Sequence, residues 1–271
     1  GFIVVRVAHV LGGGSRRRQV YHITEKGRGW LAEHPSEDTL ATSELTTNDA
    51  SKFSIIGRER ELEALIQLLV EERRAVVGGL SGVGKTTLLK AWAAQSTQHL
   101  VRWATMDPLS DAYALMQAWF PETTPLPVDP EAMIEHIGQS GKQVLVVDDL
   151  HLVEPRHLEA VQHLLHGLHA KEHTVVLAGR LPLPEGFDWP LLKLGTLSPH
   201  DAKEVLGDHL DEDLRLEVAK ALDGHPMALN LYREGDRLPE AGEDIQAFVE
   251  QTMLDGLDEG ALEALDGMVL F

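Results

Sequence analysis

From Ile55 onward the chain alternates between helical and strand-like periodicities. Glu59 to Glu72 carries apolar residues at 62, 65, 66, 69 and 70, the spacing of one helical face, and predicts a helix there. Short apolar runs follow at Ala75–Val77, Leu100–Thr105, Val144–Val147, Thr174–Ala178 and Leu191–Leu197. Most successive pairs leave room for a helical crossover, which predicts an α/β fold with a parallel, doubly wound sheet buried on both faces. The proline-rich piece from Pro121 to Pro130 reads as a surface loop. Beyond Leu197 the strand pattern stops. Ser198 followed by Pro199 and Asp201 is a helix-start signal, and Leu214–Leu222, Pro226–Arg233 and Ile245–Leu254 continue as helices. The tail is therefore expected to be a helical subdomain.

The first 35 residues differ. Phe2 to Val10 alternates and is followed by Gly12-Gly13-Gly14-Ser15-Arg16-Arg17-Arg18 and then Val20-Tyr21-His22-Ile23. This predicts two strands around a glycine-rich turn, with a helix from Thr24 to His34 after them. Thr24 suits its N-cap, and Glu25 suits its first turn. Residues 36–52 are small and polar without apolar periodicity and read as a linker. The expected organisation is 1–35, linker 36–52, an α/β core over 53–197 and a helical part over 198–271. A start without methionine and an end inside an apolar run predict a piece of a longer chain.

Composition narrows the function classes. The formal charge of −19 disfavours the surface as a whole as a binder of nucleic acid or anionic membrane, while leaving room for a local basic patch. It suits either a halophilic source or an ordinary acidic cytosolic protein. No stretch has the length of uncharged apolar sequence that a membrane span needs, and Phe2 to Val10, interrupted by Arg6, is no signal peptide. The chain has no cysteine, which excludes disulfides and thiolate metal sites and is in keeping with a reducing cytoplasm, the expected location.

The sharpest chemistry lies in Gly79-Leu80-Ser81-Gly82-Val83-Gly84-Lys85-Thr86, which fits G-x-x-x-x-G-K-[ST] at every fixed position. A β-branched run precedes it and helix formers follow from Thr87, the strand–loop–helix context that the motif requires. The glycines allow backbone N–H groups to turn onto a β-phosphate, where the helix N-terminus adds its positive end. Gly79, Ser81, Gly82, Val83, Gly84, Lys85, Thr86 and Thr87 are therefore the candidate phosphate contacts. Lys85 is placed between β- and γ-phosphates and the Thr86 hydroxyl on Mg²⁺. A second element, Val144-Leu145-Val146-Val147-Asp148-Asp149, is an apolar strand ending in two carboxylates. Placed beside the phosphate strand, it assigns Asp148 to the metal and Asp149 to the attacking water.

These two elements, with three others in the same order, resemble the STAND class of signal-transducing P-loop ATPases over about residues 53–235. Ile55-Ile56-Gly57-Arg58-Glu59 is similar to the class's hydrophobic-Gly-Arg-Glu motif, which implies that Ile56 lies against the adenine and Arg58 helps to hold the nucleotide. Val175-Val176-Leu177-Ala178-Gly179-Arg180 resembles the strand that ends in a sensor arginine reaching the phosphates. Gly224-His225-Pro226-Met227-Ala228-Leu229 looks like the Gly-x-Pro motif whose proline, Pro226 here, packs on the base. Taken alone, the residues also allow an ion pair of Arg58 with Glu61 or Glu63, a surface charge at Arg180 and a plain helix-start proline at Pro226. The class implies ATP or ADP with Mg²⁺, a helical lid, a sheet order of 5-1-4-3-2 and nucleotide-dependent self-association.

Arg16-Arg17-Arg18-Gln19-Val20-Tyr21-His22-Ile23-Thr24-Glu25-Lys26-Gly27-Arg28 resembles the wing and following helix of prokaryotic winged-helix regulators. Residues 1–35 hold Arg6, Arg16, Arg17, Arg18, Lys26 and Arg28 against Glu25 and Glu33, a local reversal of the chain's charge. With arginines at a wing tip, DNA is the expected partner, although winged helices also bind proteins. The leading expectation is a slowly hydrolysing ATP switch that controls transcription. The rivals are a DNA initiator or remodelling ATPase of the AAA+ type, and a defence or scaffold ATPase whose winged helix binds protein. Two weaker patterns are set aside. His166, His169 and His173 have helical spacing that can chelate a metal but lack a fixed acidic or cysteine partner, so polar helix surface is the expected role. The five tryptophans are scattered and read as packing.

Overall fold

The structure, a computed structural model, describes residues 3–9, 17–23, 55–96, 100–123, 125–240 and 243–255. It divides into two units, Gly1–Thr46 and Thr47–Phe271. In the first, β1 (Ile3–His9) and β2 (Arg17–Ile23) pair antiparallel from Ile3 opposite Ile23 to His9 opposite Arg17. The two expected strands are present and paired, with Arg17 and Arg18 at the N-terminal end of β2, while the expected glycine-rich turn between them lies outside the described residues. The helix expected over 24–34 and the linker over 36–52 lie outside the described residues.

The second unit opens with α1 (Glu59–Glu72), β3 (Arg74–Gly79), α2 (Lys85–Gln95) and β4 (Val101–Thr105). It continues through α3 (Ala112–Trp119), α4 (Pro130–Gln139), β5 (Val144–Asp148), α5 (Pro155–Ala170), β6 (Thr174–Gly179) and β7 (Leu191–Leu194). It closes with α6 (Pro199–Leu206), α7 (Glu212–Ala221), α8 (Pro226–Leu231) and α9 (Ile245–Asp255). Several helix starts follow from local chemistry. Asp111, Asp129, Ser198 and Asp211 each accept a first-turn backbone N–H, and Pro130 and Pro199 supply the fixed φ of a first helical position.

The five core strands are parallel and ordered β4-β5-β6-β3-β7. Numbered from the phosphate-loop strand, that is the expected 5-1-4-3-2. One expectation needs correction: the strand ending in Asp148 is not beside β3, because β6 pairs with both and separates them. The last strand is also shorter than its apolar run. It stops at Leu194, residues 195–198 have no regular structure, and Leu197 joins the helical core instead.

Alternation along each strand builds two layers. Val76, Leu145, Val147, Val175 and Leu177 face α3, α4 and α5, while Ala75, Val77, Val146, Val176 and Ala178 face α1 and α2. Both faces are covered, which is why the strands are continuously apolar. Trp119 is fully buried among the first set and donates its indole N–H to the Val146 carbonyl at 3.0 Å. The helices α6 to α9 form a third, separate apolar core around Ala202, Leu206, Val218, Leu222 and Leu229. Among the described residues no helix is long and apolar enough to cross a membrane.

Candidate nucleotide site

The phosphate loop bridges β3 and α2 at the C-terminal edge of the sheet, where open α/β sheets bind ligands. Gly82 and Gly84 have φ of +66° and +99°, values that turn successive peptide units toward one side. Lys85 and Thr86 open α2. Lys85 is buried, and its ammonium donates to the Leu80 and Gly79 carbonyls at 2.7 and 3.4 Å. Burial holds its pKa below the usual lysine value, opposed by the charges of Asp149 and Asp148.

Although β6 lies between their strands, Thr86 reaches Asp148: its hydroxyl donates to the carboxylate Oδ2 at 2.7 Å. Asp148 is 2% exposed, and its other oxygen accepts the Asp149 N–H at 3.0 Å. Burial raises the Asp148 pKa, while the Thr86 hydrogen bond pulls it down. Asp149 follows the strand in the left-handed region, φ +54°, which Asp tolerates better than most residues. That turn aims the second carboxylate into a cleft of about 460 Å³. The cleft is lined on one side by Ser81, Gly82, Gly84, Lys85, Thr86 and Thr87, and on the others by Asp149, Arg180, Pro226, Met227, Asn230 and Leu231.

The expected residues thus fall into two groups. Lys85, Thr86, Asp149, Arg180 and Pro226 share the cleft, with Asp148 directly behind Thr86. Arg58 and Ile56 are not among its lining residues. Arg58 is 6% exposed; it pairs with Glu61 at 2.8 Å and donates to the carbonyls of Val83 at 3.2 Å and Gly195 at 2.6 Å. The ion pair that the sequence alone allowed is therefore present, and the same guanidinium grips the phosphate loop from behind.

Met227, Asn230 and Leu231 were missed; helical spacing from Pro226 was the signal that could have found them. His151 was missed too. Its Nδ1 lies 3.9 Å from the Asp149 carboxylate, and burial lowers its pKa despite that neighbour. The set-aside histidines are not simple helix surface. His166 stacks on Phe187 and meets Trp189 edge-on, His169 leans on Trp189, and His173 is buried.

The donor set suits a nucleotide with Mg²⁺. A buried carboxylate touching a hydroxyl at a helix start is the arrangement that holds such an ion beside a phosphate, and a Cβ placed on Gly84 would meet nothing within 4 Å.

Residues 70–185 match the family model described as AAA domain. The match takes in the phosphate loop, Asp148, Asp149 and Arg180, and the chain carries a P-loop ATPase domain. The solved structures that share the fold include these two. One is a Signal Transduction ATPase with Numerous Domains (STAND) protein with a tetratricopeptide repeat sensor from Pyrococcus horikoshii, at 19% identity and a TM-score of 0.55 over 80% of this chain and 35% of the other. The other is Cdc6p from Pyrobaculum aerophilum, at 18% identity and a TM-score of 0.51 over 64% of this chain and 59% of the other. The chain spans about a third of the STAND protein's length. No curated protein matches the sequence.

Proposed function

We propose that this chain is the nucleotide-binding part of a STAND-type regulatory ATPase, holding ATP or ADP with Mg²⁺. The observation that carries the reading is the seam between helical tail and phosphate loop. The Met227 N–H donates to the Gly82 carbonyl at 3.2 Å, and Pro226, Met227, Asn230 and Leu231 line the same cleft as the loop. A bound nucleotide would touch both parts, so its state can bias their relative position, as a switch requires.

The residues divide the work as follows. Lys85 and the loop N–H groups hold β- and γ-phosphates, while Thr86 and Asp148 hold Mg²⁺, which neutralises charge developing on the phosphate oxygens. Asp149 orients and deprotonates the attacking water, and Arg180 senses the γ-phosphate. Pro226 offers the base a rigid apolar face. Hydrolysis serves as a slow reset. The basic hairpin supports a transcriptional output through DNA, and nucleotide-dependent self-association belongs to the same proposal.

The nucleotide retained through purification tests the core of this reading. Tightly held ADP, lost in Lys85→Ala, is the expected result; a nucleotide-free protein with no measurable ADP affinity would refute it. DNA-stimulated steady turnover in the full-length protein would instead favour an initiator or remodelling ATPase. Failure of that protein to shift promoter DNA in either nucleotide state would remove the transcriptional output.

A further inference from the structure

We infer that His225 positions the phosphate loop for anion binding by holding one of its carbonyls from behind, and so couples the helical tail to the phosphate grip. The inference rests on the nucleotide reading above and adds a residue and a mechanism to it.

Three successive loop carbonyls are tied to groups outside the loop. Ser81 O lies 2.9 Å from His225 Nε2, Gly82 O accepts the Met227 N–H at 3.2 Å, and Val83 O accepts Arg58 Nη2 at 3.2 Å. In a trans peptide the C=O of one residue and the N–H of the next point in opposite directions. Fixing the carbonyls of Ser81, Gly82 and Val83 outward therefore aims the N–H groups of Gly82, Val83 and Gly84 inward, where a phosphate would sit. The three contacts set the direction of the loop's donors.

His225 is committed to this role by its tautomer. It is 2% exposed and is the N-cap of α8, its Nδ1 accepting the Ala228 N–H at 3.3 Å. An accepting Nδ1 carries no proton, so in the neutral ring Nε2 bears it and donates to Ser81 O. One imidazole thus caps the helix with one nitrogen and holds the loop with the other. The fit is close, since a Cβ on Gly82 would fall 2.8 Å from His225 Cε1 and 2.7 Å from Met227 Cβ. Two of the three carbonyl contacts come from the start of α8, and the third comes from Arg58, which also holds Gly195, on the connector into the helical tail. Displacing the helices releases two contacts at once and loosens the phosphate donors, which makes release of ADP depend on the tail.

The two functions of His225 separate by substitution. His225→Asn keeps an acceptor near Nδ1 but no group that reaches Ser81. His225→Gln places an N–H donor near Nε2 and abandons the cap. Stopped-flow and equilibrium binding of N-methylanthraniloyl-ADP to the whole chain, with thermal melts alongside, read both. The expected result is an ADP affinity about fivefold weaker in His225→Asn, mostly as faster release, with Tm near wild type. His225→Gln should keep wild-type ADP affinity at a lower Tm. ADP affinity unchanged in His225→Asn, or falling in both variants in step with Tm, would overturn the inference. Should His225→Asn fail to fold, the His225→Gln result decides alone. A wild-type chain that binds no ADP overturns the nucleotide reading itself, and Lys85→Ala identifies that case.

Discussion

Gly224→Ala tests the close approach between Gly224, in the helical tail, and Leu197 on the connector that leads into it. Gly224 has φ +60°, and a Cβ there would sit 2.2 Å from the Leu197 carbonyl oxygen, well inside van der Waals contact. The clash is with backbone, and that backbone is tied: the Leu197 N–H donates to the Gly224 carbonyl at 2.9 Å, while Leu197 is buried in the helical core. Neither partner can yield without opening that pair. Left-handed backbone costs alanine about 1–2 kcal/mol, and forcing a methyl into filled space costs about 1–3 kcal/mol more, together about 2–5 kcal/mol. At about 2–4 °C per kcal/mol for a unit of this size, Tm should fall by roughly 4–20 °C. Since His225 and Met227 follow directly, ADP affinity should fall with it. Gly138→Ala is the matched control, lying inside α4 with nothing within 4 Å of its Cβ. It should gain about 0.5–1 kcal/mol. Differential scanning calorimetry and ADP titration on both variants give the comparison. A Gly224→Ala protein within 1–2 °C of wild type (about the scatter of a single small effect) would refute the close-approach argument.

Other expectations follow from single contacts. Thr86→Val removes the donor to a carboxylate that is 2% exposed, so the apoprotein should lose about 1.5–3 kcal/mol in a denaturant titration, whereas Thr86→Ser should be near neutral. Asp149→Asn should keep ADP binding while ATP hydrolysis, read as phosphate release, slows by at least about 100-fold; unchanged turnover would remove Asp149 from the water's path. His173 is 1% exposed, its Nδ1 accepts the Gln143 N–H at 3.0 Å, and burial lowers its pKa below the ordinary value of about 6.5. The unfolded chain therefore binds the proton first, so this group's share of stability is complete above about pH 6.5 and is lost as pH falls from there toward the lowered native value. His173→Asn retains the acceptor and should flatten the stability curve across that window, as urea midpoints at a series of pH values would show.

The parts of the molecule with a periodic or capping pattern in the sequence were legible. Helical spacing located α1, continuous β-branched runs located β3, β5 and β6, and the serine, proline and aspartate at 198, 199 and 201 located the start of α6. These are signals in which each residue's own preference agrees with its environment. The errors fall where tertiary context decides. Leu197 resembles the end of a strand because it is apolar, but the strand ends at Leu194 and Leu197 is buried with the helices. Asp148 was placed on a neighbouring strand because the phosphate chemistry demands proximity, and proximity is achieved instead by Thr86 reaching across the end of β6. The histidines of α5 share a helical spacing with metal sites, but aromatic residues from 187 to 189 occupy their face.

The same distinction explains why Arg58 and His225 were harder to read than Lys85. A residue that touches the ligand carries its chemistry in its type: lysine for a phosphate, hydroxyl and carboxylate for a metal. A residue that holds the loop from behind needs only one donor aimed at a carbonyl, and arginine, histidine and a bare backbone N–H all serve. Here Arg58, His225 and Met227 each supply one to Val83, Ser81 and Gly82. Sequence type therefore says little about this role, and at Arg58 and His225 it is the geometry that shows it. Arg58 and His225 also lie 25 and 144 residues from the carbonyls they hold, so no local pattern links either to its partner. It follows that the phosphate loop's motif specifies what can bind, whereas distant segments fix how firmly the loop's donors are aimed. In the switch proposed above, that division would let the grip change while the chemistry of the site stays the same.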